Sequence, residues 1–229
     1  MPDIAIPIVF PDYLIAVNTP RTTIDIPDLI PGFDVLPDNV EIPATNNRIP
    51  DLGHAGILFL NGKTGTTKYY EYGRYSGPKG QTRKIRISDV KMNGQGHPTS
   101  DSLSYTLSQI SSRTGQGGRI SAAYIPVPGK YPAMLAYCLK RMQENRDPNR
   151  QEYDLFDNSC NHFMQGVLVA AGVNVPDMID RRPTSYIEEL RDDYQDLDYD
   201  PRSGKGTTIE SAEDNAGWFG RFLGQPAGL

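Results

Sequence analysis

Three features of this sequence predict an α+β fold in which an antiparallel sheet packs against helices. A hairpin pattern stands out over residues 54–73. Three helical segments follow, at 100–113, 131–145 and 160–171, with a further strand pattern at 120–127. The 229 residues, 38% hydrophobic and 22% charged, are enough for one substantial buried core. The whole of 1–229 reads as a single domain in three parts: a Pro-rich extended arm (1–50), a core carrying the chemistry (51–180), and an acidic and Gly-rich C-terminal segment (181–229).

The arm holds nine of the 19 prolines and one glycine, Gly32. Proline fixes φ and pushes its predecessor toward extended geometry, so no long helix is expected there. Ile4, Ile6, Ile8, Phe10, Tyr13 and Leu14 make the segment too apolar for a disordered tail. An ordered arm along the body, adding edge strands, is the expectation. In the hairpin, His54–Leu60 leads through Asn61-Gly62 and Thr64-Gly65 turn signals into Thr67–Gly73. Pairing Leu60 with Thr67 puts position 71 on the face of position 54. Arg83–Ser88 alternates and adds a third strand.

Leu103, Leu107 and Ile110 recur at helical spacing and Gly115 ends that segment. Tyr131–Asn145 has Pro132 in its first turn. The segment 160–171 is apolar nearly all round (Phe163, Met164, Val167, Leu168) and belongs in a core. Glu188–Asp200 carries seven acids against Arg191 alone, and a Gly-rich tail follows.

Several function classes are disfavoured. A net charge of −5 without a Lys/Arg run argues against a nucleic-acid binder. Two cysteines make no disulfide framework and, with three histidines, no zinc cluster. Ile4–Phe10 and Val167–Val173 are too short to span a bilayer, so no stable membrane insertion is expected. Met1-Pro2-Asp3 lacks the basic start of a secretory signal, so any export should bypass the general pathway.

The chemistry concentrates in Tyr153-Asp-Leu-Phe-Asp-Asn-Ser-Cys160-Asn-His-Phe-Met164. Asp157, Asn158 and Ser159 are N-cap residue types, and Cys160 takes the first helical position. Free backbone N–H groups and the macrodipole at such a site favour a thiolate, which makes Cys160 a candidate nucleophile. The plainer alternative is a small buried hydrophobe, the expectation for mid-helix Cys138. A thiolate needs a base that also protonates the leaving group. His97 lies in a Gly-flanked loop and is expected in solvent. His162, two residues past Cys160 on the same helix, points elsewhere and suits a structural hydrogen bond. His54, opening the first hairpin strand after Gly53, is the candidate base. The expected register nominates Glu71 to orient it through Nδ1, whereas a slip of one residue would present Tyr70 or Tyr72. Asn158 or Asn161 is a candidate side-chain donor beside the Cys160 N–H in an oxyanion site.

Gly53-His54-Ala-Gly-Ile57, the Tyr-Glu-Tyr-Gly strand ending at Gly73, and Asn158-Ser-Cys-Asn-His-Phe163 together resemble the permuted papain-like superfamily. That group includes permuted NlpC-like peptidases, the lecithin retinol acyltransferase group and the PPPDE isopeptidases. The order His54 then Cys160 is the permuted one. The cysteine segment is similar to the PPPDE motif with Ser159 inserted, and Glu71 stands near where the acyltransferases carry a second histidine. Residues 54–75, Arg113–Gly118 and the cysteine helix also resemble type VI secretion effectors that cut cell-wall peptide in rival cells.

The resemblance spans about residues 50–175 and implies a papain-like (permuted NlpC-like) cysteine amidase or endopeptidase without metal or cofactor. Peptidoglycan stem peptides would be its substrate, and an immunity protein and a secretion carrier its partners. The protein would be made in the cytoplasm and act in the periplasm of target cells. An isopeptidase or acyltransferase of the same fold is the enzymatic rival, and a non-catalytic toxin or binding module the other.

Overall fold

The computed structural model describes residues 1–17, 22–25, 39–42, 47–49, 53–76 and 78–203. Ten strands and four helices are assigned among them: β1 (Ile4–Phe10), β2 (Ile15–Val17), β3 (Thr22–Asp25), β4 (Asn39–Ile42), β5 (Asn47–Ile49), β6 (His54–Leu60), β7 (Thr67–Gly73), β8 (Gln81–Ile85), α1 (Ser100–Thr114), β9 (Ile120–Pro126), α2 (Tyr131–Glu144), α3 (Cys160–Ala170), α4 (Pro183–Asp193) and β10 (Gln195–Tyr199).

Six strands form one sheet in the order β10-β9-β1-β6-β7-β8, every neighbouring pair antiparallel. Two short pairs, β2 with β5 and β3 with β4, lie in the excursion between β1 and β6. Alternation along the strands feeds two cores. Ala5, Val9, Ala55, Ile57, Phe59, Tyr70 and Tyr72 face α2, α3 and α4, packing on Met134, Cys138, Phe163, Met164, Val167, Tyr186 and Leu190. Ile4, Ile6, Ile8, Phe10, Leu58, Leu60 and Tyr69 face Leu103, Leu107 and Ile110 of α1.

The hairpin stands as expected, with Leu60 opposite Thr67 and Gly56 opposite Glu71. The third strand runs 81–85 rather than 83–88. The arm needs correction. Ile4–Phe10 is no edge addition but a central strand between β9 and β6, buried throughout. Pro7 is tolerated there because the β1–β9 ladder is interrupted at that point: it pairs Ile4 and Ala5, then Ile8 and Val9, and skips the two residues between. The core therefore extends beyond 51–180 at both ends, since α4 and β10 also complete it. The rest of the arm, apart from the short strands, and the tail past residue 203 lie outside the described residues.

The acidic run is structured. Pro183 opens α4, and Tyr186, Ile187 and Leu190 bury one face. In β10 only Leu197 is buried, while Arg191 grips Asp196 at 2.7 Å and Asp198 at 2.8 Å. That clamp lets an Asp-rich segment run as an edge strand.

Candidate active site

The site forms where β6 and β7 part. Their ladder ends at Gly56–Glu71, two residues short of the start of β6, and the N-terminus of α3 meets the sheet there. Gly53 turns the chain into β6 with φ +65°, a conformation that side-chain-bearing residues rarely adopt. His54 follows, 8% exposed, with Nε2 3.4 Å from Oε2 of Glu71. Glu71 is buried in turn and accepts a hydrogen bond from the Thr114 hydroxyl at the end of α1.

Cys160 is the first residue of α3 and is 4% exposed. Its sulfur interacts with the His54 ring, the Ala55 backbone N–H and the Tyr153 hydroxyl, the last at 3.7 Å. Since Nε2 faces Glu71, Nδ1 is the ring nitrogen left for the thiol. The expected hydrogen bond from His54 Nδ1 to Glu71 is thus reversed: the carboxylate takes the other nitrogen.

The electrostatics favour an ion pair. Burial opposes charge on Cys160, but the His54 hydrogen bond and charge, the Ala55 N–H and the Tyr153 hydroxyl outweigh it and hold the thiol below its ordinary value. Burial would likewise lower His54, yet its bonds to Cys160 and Glu71 push it up to about 10. Glu71 is raised by burial and lowered more by His54, Thr114 and Tyr75, for a net fall. Burial and the charge of Cys160 push the Tyr153 phenol well up, so it remains a donor. Cys138, by contrast, is enclosed in the core, and burial pushes its thiol up.

α3 starts where it does because Ser159 caps it. The Ser159 side chain accepts from the His162 N–H, and His162 Nδ1 lies 2.8 Å from Ser159 Oγ and accepts from the Ser159 N–H. His162 is therefore tied into the cap, the structural role expected of it. His97 is half-buried in the 91–99 loop rather than bathed in solvent.

The two asparagines are not arranged as expected for an oxyanion site. Asn158 Oδ1 accepts from Arg141 at 3.0 Å, while Nδ2 donates to Tyr72 Oη at 2.7 Å and to the Glu152 carbonyl at 2.9 Å. Both donor hydrogens are thus committed to pinning the loop before Cys160. Asn161 is fully buried and turns Nδ2 to the Arg181 carbonyl, fastening the loop before α4.

Sequence reasoning missed four contributors. Tyr153 belongs to the quoted cysteine segment, and its aromatic ring seven residues upstream was the available signal. Thr114 and the Ala55 N–H are local to the folded site and leave no pattern in the chain. Tyr13 brings its ring to 5.0 Å from the His54 ring, and only its apolar setting hinted at burial. Among the described residues, no three of His, Cys, Asp and Glu converge where a metal ion could be held.

The family model for type VI secretion system effectors of the TseH-like type matches residues 5–175. The chain belongs to this family. The crystal structure of the type VI secretion system effector TseH is similar along nearly its whole length: 33% identity, 92% of this chain and 98% of that chain covered, TM-score 0.71. No curated protein matches the sequence. The matched region of the TseH-like family takes in β1 and the excursion after it, so it begins well before the expected residue 50 and includes Cys160, His54 and Glu71.

Proposed function

We propose that this TseH-like effector is a cysteine amidase or endopeptidase that cleaves peptidoglycan stem peptides, built on a permuted papain-like fold. The observation that carries this reading is the meeting of Cys160, His54 and Glu71 at the open end of the β6–β7 ladder, with the charge shifts of a thiolate–imidazolium pair. The thiolate attacks the amide carbonyl carbon. The backbone N–H of Cys160 and the Tyr153 hydroxyl receive the negative oxygen. His54 gives its proton to the leaving amine as the C–N bond breaks, leaving a thioester. A water then loses a proton to His54 and attacks the thioester, releasing the acid and restoring the ion pair. Glu71 holds the His54 ring throughout.

Type VI export suits a toxin delivered to the periplasm of a rival cell, with a secretion carrier to load it and an immunity protein to protect its producer. Digesting purified peptidoglycan with wild type and Cys160→Ala, with fragments identified by mass spectrometry, tests the reading. Wild type should release peptides with new termini and the variant none. Intact peptidoglycan in both arms sinks it.

A further inference from the structure

We propose that Arg83 anchors a free carboxylate of the peptide substrate at the lip of the site. The inference rests on the hydrolase reading above and adds to it a substrate class: peptides with an ionised carboxylate near the scissile amide.

The register of β7 and β8 sets Arg83 opposite Glu71, so both side chains lie on one face of the sheet. Glu71 is buried, while Arg83, one strand outward, is exposed. Its guanidinium carbon lies 3.4 Å from the centre of the Tyr75 ring. Such stacking fixes the planar fork without using up its hydrogen-bond donors. Glu71 in turn lies 3.4 Å from His54 Nε2, so Arg83 stands across one strand pair from the carboxylate that holds the base.

Among the described residues Arg83 enters no ion pair, and its cross-strand neighbour Glu71 turns instead to His54 and Thr114. Arg74, Lys84 and Arg86 are exposed close by in the chain, a local excess of positive charge in a protein of net −5. A stacked guanidinium one strand out from the carboxylate that holds His54 is suited to a bidentate carboxylate. Stem peptides carry free carboxylates beside their amide bonds.

The test compares two synthetic peptides: the stem tetrapeptide L-Ala–γ-D-Glu–meso-diaminopimelate–D-Ala, and the same tetrapeptide with its free carboxylates converted to amides. Wild type should prefer the free acid through KM by about 10–100-fold, the range of a charge-assisted contact. Arg83→Gln should bring that ratio close to one. Arg83→Lys, which keeps the charge and loses the fork, should fall between and serves if the glutamine variant fails to fold. Cleavage of both peptides with the preference intact in both variants overturns the assignment of Arg83 alone. A wild type that cleaves neither peptide overturns the hydrolase reading and this inference with it.

Discussion

Phe10 and His54 face each other across the sheet: the last residue of β1 pairs with the first of β6, and their rings stack at 6.2 Å and 14°. The chain between them leaves and re-enters the sheet at the edge of the candidate site. Its first turn, closed by the Tyr13 N–H on the Phe10 carbonyl, carries Tyr13 back toward the imidazole. Two devices fasten that turn: Gln116 exchanges hydrogen bonds with the backbone of Leu14, and Arg119 grips both oxygens of Asp12. His54 thus has aromatic neighbours from β1 and from the turn after it.

Removing one of those rings should loosen the base. An aromatic contact of this kind contributes about 0.5–1.5 kcal/mol, so Tyr13→Ala should lower turnover by roughly 2–10-fold. Tyr13→Phe keeps the ring and should retain most of the activity. Turnover measured beside circular dichroism melts checks this. Equal losses in both variants would shift the explanation from the ring to the hydroxyl.

The two cysteines should differ sharply toward iodoacetamide at neutral pH. Cys160 is held below its ordinary pKa by His54, and Cys138 is pushed up by burial. Peptide mapping after limited alkylation should find the label on Cys160, with a rate that rises at lower pH than that of an ordinary thiol. In His54→Ala the largest stabiliser of the thiolate is gone and burial remains, so labelling at neutral pH should fall. Preferential labelling of Cys138 in folded protein contradicts the nucleophile assignment.

The hairpin was legible because its signals are local: Asn-Gly and Thr-Gly turns between strands that alternate, with a register that placed Glu71 beside His54. The start of α3 was legible for the same reason, since cap residues precede Cys160 directly. The central place of Ile4–Phe10 was hidden because it depends on partners at 54–60 and 120–126, and Pro7 reads as an edge signal until the gap in the β1–β9 ladder is seen. β10 was hidden because Asp disfavours strands, and Arg191, which offsets that, lies on the preceding helix. Asn158 was misjudged because its partners Arg141 and Tyr72 are far away in the chain.

The cap of α3 links stability to reactivity. Ser159→Ala removes the side-chain acceptor for the His162 N–H and should destabilise the protein by about 0.5–2 kcal/mol. Fraying of the first turn also moves the Cys160 sulfur, so alkylation of Cys160 should slow more than the loss of stability accounts for. Urea denaturation and labelling on the same preparations separate the two effects. A variant as stable as wild type would show that the cap contributes nothing.

Glu71→Gln should keep the fold and lower turnover by about 10–100-fold, because an amide orients an imidazolium without balancing its charge. The variant should also change how stability depends on pH. Glu71 is lowered in the folded protein, so its contribution is present above its ordinary value of 4.5 and is lost as pH falls through the folded value. His54 is raised to about 10, so its contribution is complete below its ordinary value of 6.5 and is lost as pH rises through about 10. Both are at full strength between pH 4.5 and 6.5. The melting temperature of wild type should therefore exceed that of Glu71→Gln most in that window. The gap should narrow in stronger acid and again as pH rises from 6.5 through about 10. Melting curves across the pH range check this, and a gap independent of pH would show that Glu71 packs against His54 without sharing its proton balance.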